Sequence, residues 1–362
     1  MSAEIAHFQN FAKLKDTSLA FNDITVLAGK PSTGKSFVMK FMYAIDESIV
    51  LYGKSNEGEL KFMEELRDRI KSLSRDEADI EIKNMLKRFA KIDKELPKEI
   101  KLITKNLLSS IFIDLNQISN KFSVTSSLIE IQYENKVYKI NLSNKDKKII
   151  SNSSIFVETP LILEFKKFMK REKGKIPYHI ESLLNILDTD YSFTDEEQDK
   201  FIKDFTKKSK AIIGGDIESS GDSFIFNQEG AQNYDILNAS SGTKSIGLLQ
   251  YLVTNQALKK GSVLYWEEPE VHLHPAWQLK MVDLFVELMN AGVKIVFSTH
   301  SPYMADYLNA ISKKQKFRDR ISFNVLDEKD GVVTNHILDD DNWNILQKEL
   351  MDTFEDILWQ YL

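Results

Sequence analysis

The chain has 362 residues, 42% hydrophobic and 28% charged, with a formal net charge of -6 and no cysteine. This length suits one large domain or two small ones, and the composition is that of an ordinary globular protein. The missing cysteines exclude disulfides, thiol catalysis and cysteine-ligated zinc, and the charge gives no general attraction to nucleic acid.

No apolar run reaches the 18 residues of a membrane span, so no membrane partner is expected. The N-terminus, MSAEIAHFQNF, lacks the basic and apolar regions of a secretion signal, and a cytoplasmic location is expected.

Residues 1–50 read as strand, strand, loop, helix. ITVLAGK is the buried strand before the loop, with Ile24, Val26 and Leu27 apolar, and SFVMKFMYAI opens the helix. Between them lies G-x-x-x-x-G-K-S, from Gly29 through Lys30, Pro31, Ser32, Thr33, Gly34 and Lys35 to Ser36, followed by Phe37. In that pattern the glycines let the backbone curl so that its N–H groups face inward, and the helix dipole adds positive potential. Such a loop binds the phosphates of a nucleoside triphosphate. Lys35 is placed to reach the β- and γ-phosphates, and the Ser36 hydroxyl to ligate Mg²⁺. An ordinary glycine turn before a helix is the bland alternative, and the strand–loop–helix context weighs against it.

From about 55 to 110 apolar residues recur at helical spacing: Met63, Leu66, Ile70 and Leu73, then Ile82, Met85, Phe89, Ile92 and Leu96. This reads as a helical insertion. SLIEIQYENKVYKINL alternates as a β-hairpin turning at Glu134–Asn135. Residues 160–210 are again helical and charge-rich, and no internal repeat is visible.

Three signals follow. NASSGTKSIGLLQYL has a small-residue turn, Ser240-Ser241-Gly242, before a helix with Ile246, Leu249 and Val253 on one face. Its hydroxyls and bare N–H groups suit an anion, although taken alone the turn reads more readily as a plain helix cap. SVLYWEEPEVHLHP runs a buried strand into Glu267 and Glu268, and Pro269 stops it. Ligands bind at that end of strands in an open α/β sheet. One acid can hold Mg²⁺ through water while its neighbour orients an attacking water. VKIVFSTHSPYM is a further apolar strand, with His300 just past it, poised to donate to a γ-phosphate.

In that order these motifs resemble the ABC-type ATPase heads, a group spanning transporter ATPases, SMC-type chromosome ATPases and the overcoming-lysogenization-defect (OLD) ATPases. The form EEPEVHLHP…STHSPYM looks most like the OLD-like prokaryotic ATP-binding proteins, many of them in antiphage defence. The resemblance covers most of residues 1–310 outside the helical insertions. It implies an α/β fold: an ABC-type P-loop ATPase head with a mixed sheet core, an antiparallel β-hairpin subdomain and helical insertions. Its parts would be 1–52 (P-loop lobe), 53–112 (helical insertion), 113–160 (hairpin region), 161–212 (helical insertion), 213–310 (signature lobe) and 311–362 (terminal strands and helix).

By likeness, Ser240, Ser241 and Gly242 form the signature, and Glu267 carries the metal where the family usually has Asp. Glu268 is the catalytic base, 271–274 the D-loop and His300 the switch histidine. Gln117 is the candidate Q-loop ligand to Mg²⁺. The cofactors implied are ATP and Mg²⁺.

In ABC-type heads the P-loop of one subunit and the signature of another sandwich ATP. By this resemblance one copy of each motif per chain implies a homodimer or higher oligomer with composite sites, acting as a switch on a separately encoded effector such as a nuclease. An SMC-like DNA-tethering ATPase is the competing expectation, with DNA a partner that the charge does not indicate. The insertion is short for a long coiled-coil arm. A transporter ATPase ranks below both, and the 50-odd residues after the His300 segment leave no room for an OLD-type Toprim nuclease. Asp339, Asp340 and Asp341 read as a solvated loop, and His272 and His274 as D-loop residues rather than a metal pair.

Overall fold

The computed structural model describes residues 4–11, 14–55, 122–124, 128–133, 136–142, 153–169, 176–189, 191, 196–317 and 319–350. The chain opens with β1 (Glu4–Phe11), β2 (Leu14–Phe21) and β3 (Ile24–Gly29), then α1 (Lys35–Ser55). Three strands therefore precede the loop, where the sequence suggested two. Only two residues separate β1 from β2, so the hairpin hides inside one continuous stretch. The proposed helical insertion lies outside the described residues except for 53–55, which complete α1, and Gln117 lies outside them too.

The expected hairpin is present as β5 (Leu128–Tyr133) and β6 (Lys136–Leu142), flanked by β4 (Phe122–Val124). Next come β7 (Ser154–Val157) and helices α2 (Ile162–Met169), α3 (Tyr178–Asp188) and α4 (Glu196–Ile213). A small antiparallel sheet that the sequence reading did not foresee follows: β8 (Gly215–Ser220), β9 (Ser223–Gln228) and β10 (Tyr234–Asp235). The chain then forms α5 (Ser241–Thr254), β11 (Val263–Glu267), α6 (Pro275–Asn290), β12 (Lys294–Thr299) and α7 (Pro302–Ser312). Strands β13 (Ile321–Lys329) and β14 (Val332–Ile337) follow, and residues 344–350 are helical.

Among the described residues eleven strands join in the order β4-β5-β6-β1-β2-β14-β13-β3-β12-β11-β7. The half β13-β3-β12-β11-β7 is parallel, and the hairpins β1/β2, β5/β6 and β13/β14 are antiparallel. In the parallel half, β3, β12 and β11 lie side by side although long stretches of chain separate them. Their C-terminal ends, which carry the loop, His300 and the two acids, therefore converge.

Strand alternation splits the core between the two faces. Ile24, Val26, Leu264 and Trp266 pack with α5, α6 and α7 on one side. Leu27, Val263 and Tyr265 pack with Val38, Phe41 and Tyr43 of α1 on the other. Helix α5 is buried on nearly every side, with Leu248 and Leu252 as enclosed as Ile246, Leu249 and Val253, rather than on one face. It is covered by α4 and by β8, whose Ile217 lies over Gly247.

Candidate functional site

The phosphate loop joins a fully buried strand to the first turn of α1. Gly29 has φ 133°, and a Cβ there would lie 2.2 Å from the Leu326 carbonyl oxygen on β13, so only glycine fits. Gly34 and Ser32 also have positive φ, which curls the loop. The Lys35 side chain lies inside this curl, its Nζ donating to the carbonyls of Gly29 (2.8 Å) and Lys30 (2.7 Å). Burial lowers its pKa to about 8, against the pull of Glu268, Glu270, Glu349 and Glu267. Thr33 braces the loop from within by donating to Lys30 O at 2.9 Å.

A cleft of about 640 Å³ opens above the loop, lined by Pro31, Ser32, Gly34, Lys35, Ser36, Phe37, Glu268 and His300. The structure thus brings together the P-loop, one of the two acids and the histidine.

Alternation along β11 sends the paired acids to different places. Glu267 continues the face of Val263 and Tyr265, toward α1, where the Ser36 hydroxyl bonds to it. Burial raises its pKa to about 7, partly offset by Lys40. Its Oε1 is buried without a hydrogen-bond partner among the described residues. A hydroxyl and a carboxylate with one orphan oxygen fit a hard divalent cation whose other ligands are phosphate and water. No group of three or more His, Cys, Asp or Glu able to hold a metal occurs among the described residues.

Glu268 lies past the strand end with φ 45°, rare for a glutamate, and projects into the cleft. Its N–H donates to the Ser298 carbonyl at 3.1 Å. His300 Nε2 lies 3.4 Å from Glu268 Oε1. Burial and the nearby Lys35 hold the histidine pKa below its usual value, favouring the neutral ring.

Ser240, Ser241 and Gly242 do not line this cleft. Ser240 caps α5, its Oγ accepting the Thr243 N–H at 3.1 Å, and Gly242 abuts the His272 carbonyl and Trp277. His274 caps α6 through Nδ1, and Asp339 Oδ1 accepts the N–H groups of Asp341 and Asn342 in an exposed turn, so each has a local structural use.

Two acids escaped the sequence reading. Glu158 follows β7, whose pairing of Val157 with Trp266 carries Glu158 alongside Glu267. It bonds His179 Nε2 at 2.6 Å and Lys40 Nζ at 3.4 Å, and its pKa is held at about 2, chiefly by that histidine. SIFVETP matches VLYWEEP in form, apolar residues running into an acid just before a proline, and that parallel was the available signal. Glu158 therefore stands at the strand end beside β11, next to Glu267. The second acid, Glu270, accepts the His300 N–H at 2.6 Å.

Residues 24–306 match the family described as "AAA domain, putative AbiEii toxin, Type IV TA system". The chain belongs to this AAA-domain family. Its match spans every motif of the cleft, and the AAA-domain chain is an ABC-type P-loop ATPase head that binds and hydrolyses ATP.

Distant likenesses to solved structures accompany the match. One is an SMC head bound to the C-terminal winged-helix domain of ScpA (TM-score 0.47, 12% identity, covering 95% of this chain and 100% of that one). Another is the SMC head domain from Thermotoga maritima (TM-score 0.44, 9% identity, 94% and 100%). A third is a dimeric bacterial ABC transporter cassette (TM-score 0.38, 13% identity, 92% and 99%). No curated protein matches the sequence. Among the described residues no helix of the AAA-domain chain is long and apolar enough to cross a membrane.

Proposed function

We propose that this ATPase is a nucleotide-driven dimeric switch, the regulatory or sensor subunit of a prokaryotic antiphage defence complex that controls a separate effector such as a nuclease. The observation that carries the switch is that the cleft is one-sided. It has phosphate donors, an acid and a histidine, but not Ser240, Ser241 or Gly242. A second copy supplying its signature turn completes the enclosure of ATP, with C₂ symmetry giving two such sites. The defence role leans on the resemblance of the EEPEVHLHP…STHSPYM motifs to OLD-like proteins. The matching family's description, a putative toxin of a toxin–antitoxin system, is compatible with a chain that acts on another component.

In this scheme the loop N–H groups and Lys35 bind and orient the phosphates, and Phe37 flanks them at the cleft edge. Ser36 and Glu267 would hold Mg²⁺, which would supply charge neutralisation at the phosphates when bound. Glu268 accepts a proton from the water whose oxygen bonds to the γ-phosphorus, while the bond to the β,γ-bridging oxygen breaks and ADP leaves. Neutral His300 donates a hydrogen bond to the γ-phosphate.

Light scattering with Mg-ATP tests the dimer. Glu268→Gln should bind ATP, turn over at least ~100-fold more slowly and accumulate as a dimer, and adding Ser240→Arg should return it to monomer. Dimerisation indifferent to Ser240→Arg, with parental turnover in that single variant, refutes the composite site. Purification of the native chain from its source tests the effector: a chain that copurifies with nothing refutes the regulatory role.

A further inference from the structure

The double turn after β11 holds a carboxylate that the hydrolysis scheme leaves unused. Pro269 and Glu270 are the middle residues of a turn closed by the Val271 N–H donating to Glu268 O at 3.0 Å. A second turn, closed by the Leu273 N–H on Glu270 O at 2.8 Å, has His272 at φ 68°. The Glu270 side chain reaches the end of β12. Its Oε1 accepts the His300 backbone N–H at 2.6 Å, and the Thr299 side chain bonds to the same carboxylate. Its Oε2 is buried with no partner among the described residues. A largely buried, half-satisfied acid disfavours the folded state, so its presence calls for a use other than stability.

The use lies in what it joins. The acid turn and the histidine loop are tied by two crossing bonds. The Glu268 N–H goes to Ser298 O, and the His300 N–H goes to Glu270 Oε1. On its far side the histidine loop is fixed to α7, where Ser301 Oγ accepts the Met304 N–H and the Ser301 N–H donates to Thr299 Oγ1. Glu270 is therefore the side-chain link that fixes the backbone of His300 itself.

We propose that Glu270 is a positioning residue for ATP hydrolysis, which holds the His300 backbone against the turn bearing Glu268 and so sets the approach of the imidazole to that acid. This rests on the roles given to Glu268 and His300 above.

Four proteins test it: parent, Glu270→Ala, His300→Ala and the double variant, each assayed for ATP affinity, Mg-ATP turnover and Tm. Glu270→Ala should lower kcat about 10- to 100-fold, the scale of an ångström-level misplacement, with ATP affinity essentially unchanged. The double variant should be no slower than His300→Ala alone, because Glu270 acts through that histidine. Glu270→Gln, which keeps an acceptor for the His300 N–H, should recover most of the rate lost with alanine. If the alanine variant does not fold, Glu270→Leu, which keeps the volume, carries the same expectation.

Parental kcat in Glu270→Ala beside a slow His300→Ala overturns the inference and leaves the reading of His300 standing. Losses that multiply in the double variant overturn it as well, since they mark a general structural role. Parental kcat in His300→Ala overturns the reading of His300 itself, and the inference falls with it.

Discussion

Lys35 offers a direct test of whether the loop exists for phosphate or for the fold. It is 5% exposed, and its ammonium lies among loop carbonyls. Lowering its pKa from 10.5 to about 8, chiefly by burial, corresponds to roughly 3 kcal/mol against the charged form. The bonds to the Gly29 and Lys30 carbonyls return about 1.5–3 kcal/mol each, as bonds from a charged donor do. At the lower end of that range the two bonds together offset the burial cost, and methionine keeps the volume. Lys35→Met should therefore change the unfolding free energy of the nucleotide-free protein by less than about 3 kcal/mol.

Ligand linkage then separates the two proteins. Mg-ATP at a hundred times the parental Kd should stabilise the parent by about 2.7 kcal/mol and the variant not at all. Urea unfolding with and without Mg-ATP reads both quantities. A nucleotide-free loss of about 3 kcal/mol or more, typical of breaking a buried charge arrangement, would make Lys35 a structural residue. Equal stabilisation of both proteins by ATP would remove it from phosphate binding.

Gly29→Ala places a methyl group 2.2 Å from the Leu326 carbonyl oxygen at φ 133°, and should cost about 3 kcal/mol or more; a Tm equal to the parent's would contradict the packing of β3 on β13. Glu158, with a pKa of about 2 in the fold and 4.5 as its ordinary value, stabilises the native state above pH 4.5 and loses that contribution as pH falls toward 2. Glu158→Gln should flatten this acid limb in urea titrations across pH, and an unchanged limb would mean that His179 and Lys40 do not hold the carboxylate.

The features legible in the sequence were those written in consecutive residues. Gly29 to Ser36, the paired acids and His300 each sit at the end of an apolar strand, and each lies where that pattern placed it. What was missed depends on which strands are neighbours. Nothing in the order of the chain says that β7 lies beside β11, so Glu158 was passed over. Glu270 was hidden differently: its partner is a backbone N–H on another strand, for which residue spacing carries no signal. The three-stranded sheet of β8, β9 and β10 went unseen because its strands are short and largely polar, with Ile217, Phe224 and Phe226 buried and Tyr234 packed beside them.

The adjacent acids show how one residue type acquires two chemistries. Glu267 is still in the strand, and its side chain follows the period of two onto the α1 face, where it meets the Ser36 hydroxyl. Burial there disfavours its charge, so a cation is the partner that would restore it. Glu268 is the first residue beyond the strand, and its backbone turns to φ 45°. That conformation costs about 1–3 kcal/mol for a residue other than glycine. It is held by the Glu268 N–H on Ser298 O and by the turn closing on Val271. The result is a carboxylate in the open cleft, 3.4 Å from His300, rather than under α1. The chain break in direction at Glu268, and not any difference between the two side chains, separates the position proposed for the metal from the proposed base. Pro269 enforces it, since with no N–H to donate it cannot continue the ladder on β12.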